Sequence, residues 1–193
     1  MYKKQMTLQR VACLLSLAAA ALVFIYSLGL MTNLYDTLYL FSSYPENHRN
    51  YVEGASIYLD MQPFNRELTT AAIILILTAV ALFVFRSNDR RKYYIANYIT
   101  IGVNAVANVV VSIWALTNVF AYKAQYLKID FEKLRSVSEK YDVVFNDSTF
   151  WFDASRGVFG IVFLVTAISI GNLVWKIILM NAEKKLIDEG KEA

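Results

Sequence analysis

Residues 93–122 read YYIANYITIGVNAVANVVVSIWALTNVFAY, and no charged side chain occurs between Lys92 and Lys123. As an α-helix that rises about 1.5 Å per residue, this stretch is longer than the roughly 30 Å hydrocarbon core of a bilayer. It therefore predicts a membrane-spanning helix that tilts or extends past the membrane surface.

Three further uncharged or nearly uncharged blocks have the length of a membrane span. The first, residues 11–31, follows the basic residues Lys3, Lys4 and Arg10. It is longer than the roughly 7–15 apolar residues of a cleaved signal peptide, so we predict that it is retained as an anchor. The second of these blocks covers residues 68–85. The last one, which is the fourth predicted span in chain order, covers residues 157–180 and contains Lys176. We therefore predict four spans, at about residues 11–33, 68–86, 93–122 and 157–180.

The composition agrees with such a distribution. Hydrophobic residues make up 57% of the 193 residues and charged residues only 18%, against roughly 45–50% and 25% in soluble domains. We predict an all-α membrane protein, namely an antiparallel bundle of four transmembrane helices that forms a single domain over residues 1–193. The two long connections, about residues 34–67 and 123–156, are expected to form a small extracytoplasmic cap.

The connections contain further local signals. Pro63 is expected to break the chain before the second span, with Asn65 as a helix cap. In the second connection, apolar residues alternate with charges and predict a short amphipathic helix. These residues are Ile129, Phe131, Leu134, Val137 and Tyr141. The tail after the fourth span is expected to stay helical until Gly190.

Basic residues predict the orientation. The amino-terminal segment is basic, and the short link between the second and third spans carries Arg86, Arg90, Arg91 and Lys92. The positive-inside rule places both in the cytoplasm, and four spans return the carboxyl terminus to the same side. The link is also expected to contact anionic lipid headgroups. Outer loops without cysteine favour a prokaryotic cell membrane, since the one cysteine, Cys13, lies in the first span.

The third span contains the most specific polar pattern. Its amide and hydroxyl residues occupy one sector about 120° wide on a helix. They are Asn97, Thr100, Asn104, Asn108, Ser112 and Asn118. An amide without a partner in hydrocarbon is costly, so this face points away from lipid. Two interpretations stay open: a seam that bonds to neighbouring helices, or the lining of a path through the membrane.

The fourth span has two distinct faces. Small residues on one side predict close packing against another helix. They are Gly157, Gly160, Ala167 and Gly171. Thr166, Ser169 and Asn172 lie on another side, where they are expected to bond to the asparagine face of the third span. Lys176 is expected to snorkel to the headgroups.

Residues that could form a catalytic, metal-binding or nucleotide-binding site are scarce in this sequence. The four apolar blocks lack Asp, Glu, Arg and His, the chain has a single histidine, and no Gly-rich nucleotide motif occurs. The outer acids Glu132, Glu139 and Asp142 are spaced like a solvated helix face. We therefore expect no catalytic residues, no metal site, no cofactor and no nucleic-acid partner.

The function that these features favour is that of a non-catalytic subunit or accessory protein of a membrane complex, in transport or envelope assembly. Its partners would be the lipid bilayer and other membrane proteins or further copies of itself. The alternative is a homo-oligomeric channel or small transporter whose path is lined by the asparagine face. An enzyme that uses the outer carboxylates is the third hypothesis.

Overall fold

The computed structural model of the chain describes residues 2–43, 52–85, 94–140, 142 and 144–190. Every regular element in these ranges is an α-helix. The helices are α1 Tyr2–Gly29, α2 Thr32–Ser43, α3 Ile57–Val84, α4 Tyr94–Tyr126, α5 Phe131–Lys140 and α6 Phe150–Glu189. The predicted all-α class is confirmed.

Within the described residues, four helical stretches are long and apolar enough to cross a membrane. They are Lys3–Tyr39, which joins α1 to α2, then Ile57–Val84, Ile95–Tyr126 and Phe150–Lys185. Each one covers all or nearly all of one of the four predicted apolar blocks. The chain therefore has the helices expected of a multi-pass membrane protein.

The long helices expose large apolar side chains along their outer faces. On α4, the side chains that lie opposite the asparagines are each more than half exposed. They are Ile99, Val103, Val106, Val110 and Ile113. A continuous apolar surface of this kind is rare on soluble monomers and typical of a face that contacts lipid or another protein.

Helix α3 begins earlier than the sequence predicted. Ser56 precedes the helix, its carbonyl oxygen accepts from the amides of Leu59 and Asp60, and its hydroxyl donates to the Asp60 carboxylate over 3.0 Å. Pro63 and Asn65 both lie inside the helix, so their predicted roles as breaker and cap are wrong. Pro63 sits near the start, where its missing N–H removes a single backbone hydrogen bond and the rest of the helix continues.

Two other local predictions are confirmed. The second connection contains α5, which buries Leu134 and Val137, and the Asp130 carboxylate caps it by accepting from the Lys133 amide over 3.0 Å. Helix α6 continues to Glu189, immediately before Gly190. Tyr141, predicted to belong to the amphipathic helix, lies outside the described residues.

By its contacts the chain divides into two compact units. Unit 1 contains Met1–Ala21, Ile74–Val110 and Ile161–Ala193, and unit 2 contains Leu22–Ile73 and Val111–Gly160. In unit 1, Cys13, Leu82 and Ile101 form a buried apolar core, against which Phe83 and Leu173 pack. This core joins segments of α1, α3, α4 and α6.

Unit 2 contains α2, α5 and the remaining parts of the long helices. Tyr26 is buried there, with its ring centroid 5.8 Å from that of Phe159. The Asn146 carbonyl oxygen accepts from the hydroxyls of Thr37, over 3.3 Å, and Tyr126, over 3.1 Å. Residues of the two predicted outer connections therefore contact each other directly.

Candidate functional site: the polar cluster of unit 1

Unit 1 gathers polar side chains from four helices in its interior, and together we call them the polar cluster. All of them are buried except Thr78, which is half-buried. They are Gln5 and Gln9 of α1, Thr78 of α3, Asn97, Asn104 and Asn108 of α4, and Thr166, Ser169, Asn172 and Lys176 of α6. The sequence predicted six of these side chains as polar groups of two facing helices, and Lys176 as a lysine that leaves the interior.

Asn104 and Asn108 connect α4 to both of its neighbours. The Asn104 amide donates to the Thr78 hydroxyl over 2.9 Å, and the Asn108 amide donates to the Thr166 hydroxyl over 3.1 Å. The Asn108 amide also donates to the Asn104 side-chain oxygen over 3.3 Å. These are the contacts that the seam interpretation predicts.

Lys176 is buried in the polar cluster, with only 1% of its surface exposed. Its ammonium donates to the Asn97 side-chain oxygen over 2.8 Å and lies 5.4 Å from the centre of the Tyr98 ring. The Asn97 amide in turn donates to the Phe85 carbonyl over 3.3 Å. The predicted snorkelling of Lys176 is therefore wrong, because an amide oxygen and an aromatic face solvate the charge inside the unit.

Two of the remaining residues of the predicted asparagine face bond locally. The Thr100 hydroxyl donates to the Ala96 carbonyl over 2.7 Å, and the Asn118 amide donates to the Trp114 carbonyl over 2.8 Å. Both acceptors belong to α4 itself. Ser112 is fully buried, and among the described residues its hydroxyl has no hydrogen-bond partner. Thr100, Ser112 and Asn118 are thus not members of the polar cluster.

Gln5 and Gln9 are functional candidates that the sequence analysis missed. The Gln5 amide donates to the Asn172 side-chain oxygen over 3.1 Å and to that of Gln9 over 3.4 Å. Both glutamines lie in the basic segment before the first apolar block, where the sequence analysis considered only the charged residues. Their spacing of four residues was the missed signal, since it places them on one helix face with Cys13 and Ser16.

The small residues of α6 face outward in the part of the chain that the structure describes. Gly157, Gly160, Ala167 and Gly171 are exposed, and a Cβ atom added to any of the three glycines would meet no atom within 4 Å. Their predicted packing role therefore stays a prediction about a second chain. The basic link, Arg86, Arg90, Arg91 and Lys92, lies outside the described residues.

The polar cluster is suited to joining helices. In the described parts of the chain, no group of three His, Cys, Asp or Glu side chains could hold a metal ion. Lys176 is the one charged member of the polar cluster. A cavity lined by Gln9, Ser169 and Asn172 has a volume of about 10 Å³, which is room for about one water molecule. The outer acids Glu132, Glu139 and Asp142 are exposed to solvent.

No protein-family model, no curated protein and no solved structure matches this chain.

Proposed function

We propose that the chain is an integral protein of a prokaryotic cell membrane, with four spans in an antiparallel bundle and both termini in the cytoplasm. It acts there as a non-catalytic subunit or accessory protein of a larger membrane complex, in transport or envelope assembly.

The contacts within unit 1 support the antiparallel order. Asn97 contacts Lys176 and Asn108 contacts Thr166. As the residue number rises along α4, the residue number of its partner on α6 therefore falls. Asn97 likewise contacts Phe85, whereas Asn104 contacts Thr78. Helices whose contacts run in opposite order cross a bilayer in opposite directions, as consecutive spans with short links do.

The observation that carries the proposal is the inward bonding of the asparagine face. A channel or transporter needs its polar lining in contact with water or solute. Asn97, Asn104 and Asn108 are at most 4% exposed, and each one bonds to a neighbouring helix. Their amide groups therefore hold helices together. This favours the interpretation as a contact between helices over the lining of a path through the membrane.

The surface that remains for a partner lies on the outside of the helices. Without a hydrophobic driving force in lipid, helices associate where small residues let their backbones approach closely. The exposed face of α6 that carries Gly160 and Gly171 has this composition. Its partner would be a helix of another membrane protein or of a second copy.

The test is purification of the tagged chain in mild detergent, followed by analysis of its stoichiometry and by flux measurements in liposomes. The proposal predicts a larger partner at a fixed ratio and no flux by the chain alone. Gly160→Leu should weaken the association, because it widens the helix separation. Gly102→Leu on α4 is the matched control, since a Cβ atom there also meets nothing within 4 Å.

A different result would overturn the proposal in favour of the channel. That result is a defined homo-oligomer that conducts in liposomes and loses its conductance on Asn104→Leu and Asn108→Leu. An activity abolished by Glu139→Gln in a folded protein would instead support the enzyme hypothesis.

A further inference from the structure

A small cavity lies inside unit 1, among α1, α3, α4 and α6. Its lining combines the polar residues Gln9, Ser169 and Asn172 with the apolar residues Leu82 and Ile101, and Cys13 also contacts it. Its volume of about 10 Å³ is close to the minimum that holds one water molecule. A cavity of this size with purely apolar walls would stay dry, but this one has a polar side.

Two buried amide atoms, one on the lining residue Gln9 and one on its hydrogen-bond partner Gln5, lack partners among the described residues. They are the nitrogen of Gln9 and the oxygen of Gln5, in side chains that are 4% and 1% exposed. The choice of amide orientation does not remove them. If oxygen and nitrogen are exchanged in Gln5, Gln9 and Asn172 together, both hydrogen bonds reverse direction and the same two positions stay without a partner.

A buried amide group without a hydrogen bond is costly, and such groups are rarely left unpaired. We propose that the cavity binds one water molecule, which accepts a hydrogen bond from the Gln9 amide and completes a polar junction between α1 and α6. The Ser169 hydroxyl donates to the Val165 carbonyl and keeps a lone pair that can accept from this water molecule. Buried water molecules typically have about three such partners.

The chemistry of the lining selects water over other ligands. The cavity is too small for an organic solute, and none of its lining residues is charged, so an ion would lose its hydration without a countercharge. The water molecule would accept from the Gln9 amide of α1, next to the contact between Gln5 and Asn172 that already joins α1 to α6. The assignment does not depend on the proposed role as an accessory subunit.

Radiolytic hydroxyl labelling of the whole purified chain tests this site directly. X-ray pulses generate hydroxyl radicals from water, including internal water, and Cys13 lies in the lining as a reactive reporter. Cys13 is only 4% exposed, so bulk solvent does not reach it. We expect Cys13 to be oxidised in the wild-type chain and to lose most of that labelling in Gln9→Met, which removes the polar partner at similar side-chain volume. Gln125→Met, at an exposed position on α4, is the matched control and should leave Cys13 labelling unchanged.

Thermal unfolding of the same variants provides an independent test, through the direction in which Tm changes. With water bound, Gln9→Met removes satisfied hydrogen bonds and should lower Tm by about 2–4 °C. With a dry cavity, the same change removes an unpaired buried amide nitrogen together with the long 3.4 Å bond from Gln5, so Tm should stay unchanged or rise. The proposal is overturned by unlabelled Cys13 in a wild-type sample whose exposed tyrosines are oxidised, or by an unchanged or raised Tm for Gln9→Met.

Discussion

At the scale of single residues, two asparagines of α4 differ in their partners. Asn108 bonds to Thr166 on α6 and to Asn104, whereas Asn118 bonds to the Trp114 carbonyl on its own helix. We expect Asn108→Leu to lower the free energy of unfolding by about 1–2 kcal/mol, because a contact between helices is lost and Thr166 loses a donor. The measurement is reversible unfolding in mixed micelles with increasing SDS.

Asn118→Leu is the control for this experiment, since the substitution and the helix are the same. Its loss should stay within about 0.5 kcal/mol, because only a local bond to the preceding turn disappears. Equal losses for the two variants would contradict the assignment of Asn108 to a seam between helices.

Gly29 lies directly against the indole ring of Trp151, and this close approach is possible because glycine has no side chain. A Cβ atom on Gly29 would collide with the indole ring of Trp151, so Gly29→Ala forces that ring to move. We expect a loss of about 1–3 kcal/mol in the free energy of unfolding, together with a change in tryptophan fluorescence.

The matched control for Gly29 is Gly160→Ala in the same unit. A Cβ atom at Gly160 meets nothing within 4 Å, so the change should leave stability unaltered or raise it by up to about 1 kcal/mol through helix propensity. If Gly29→Ala proved as stable as Gly160→Ala, the close approach of Trp151 would be wrong.

Residue patterns predicted the polar face of α4 and only part of its bonding. The sector from Asn97 to Asn108 could be read from helical geometry, because an amide in an apolar span must avoid lipid. The burial of Lys176 could not be read in this way. Lysine at a span end reaches either outward or inward, and the choice depends on whether a distant segment supplies an acceptor such as Asn97.

At the scale of helices, the sequence predicted the apolar centres well and the ends less well. Absence of charge marks the segment suited to hydrocarbon, but a helix continues into polar sequence wherever its backbone bonds persist. Helix α3 therefore starts at Ile57 and α6 at Phe150, outside the predicted spans. The Pro63 signal failed for the same reason, because one lost bond near a helix start does not end a long helix.

Pro63 still weakens α3, and its replacement should reveal this. The side chain is exposed and lies in the second turn, where the ring crowds the carbonyl of Leu59 and donates no hydrogen bond to it. We expect Pro63→Ala to raise the free energy of unfolding by about 1–3 kcal/mol. Differential scanning calorimetry in detergent measures the change, with Gln62→Ala beside it as the control. A fall in stability would mean that the fold of unit 2 requires the local geometry of proline.

At the scale of the whole molecule, the four apolar helices predict four membrane crossings, and the basic residues of the sequence predict their direction. Lys3 and Lys4 are exposed at the start of α1, and Glu183 is exposed near the end of α6. Lys140 is exposed at the end of α5, in the second predicted outer connection. The proposed four spans predict that Lys3 and Glu183 lie on one side of the membrane and Lys140 on the other.

Single cysteines in a Cys13→Ala background test this topology. In intact bacterial cells, a membrane-impermeant maleimide should label Lys140→Cys at once and label Lys3→Cys and Glu183→Cys only after permeabilisation. The apolar blocks predict the number of crossings, whereas the basic residues predict their direction, so the two parts can fail separately. Labelling of Lys3→Cys and Glu183→Cys from opposite sides would mean an odd number of crossings. Labelling of both from outside, with Lys140→Cys protected, would keep four crossings and reverse the orientation.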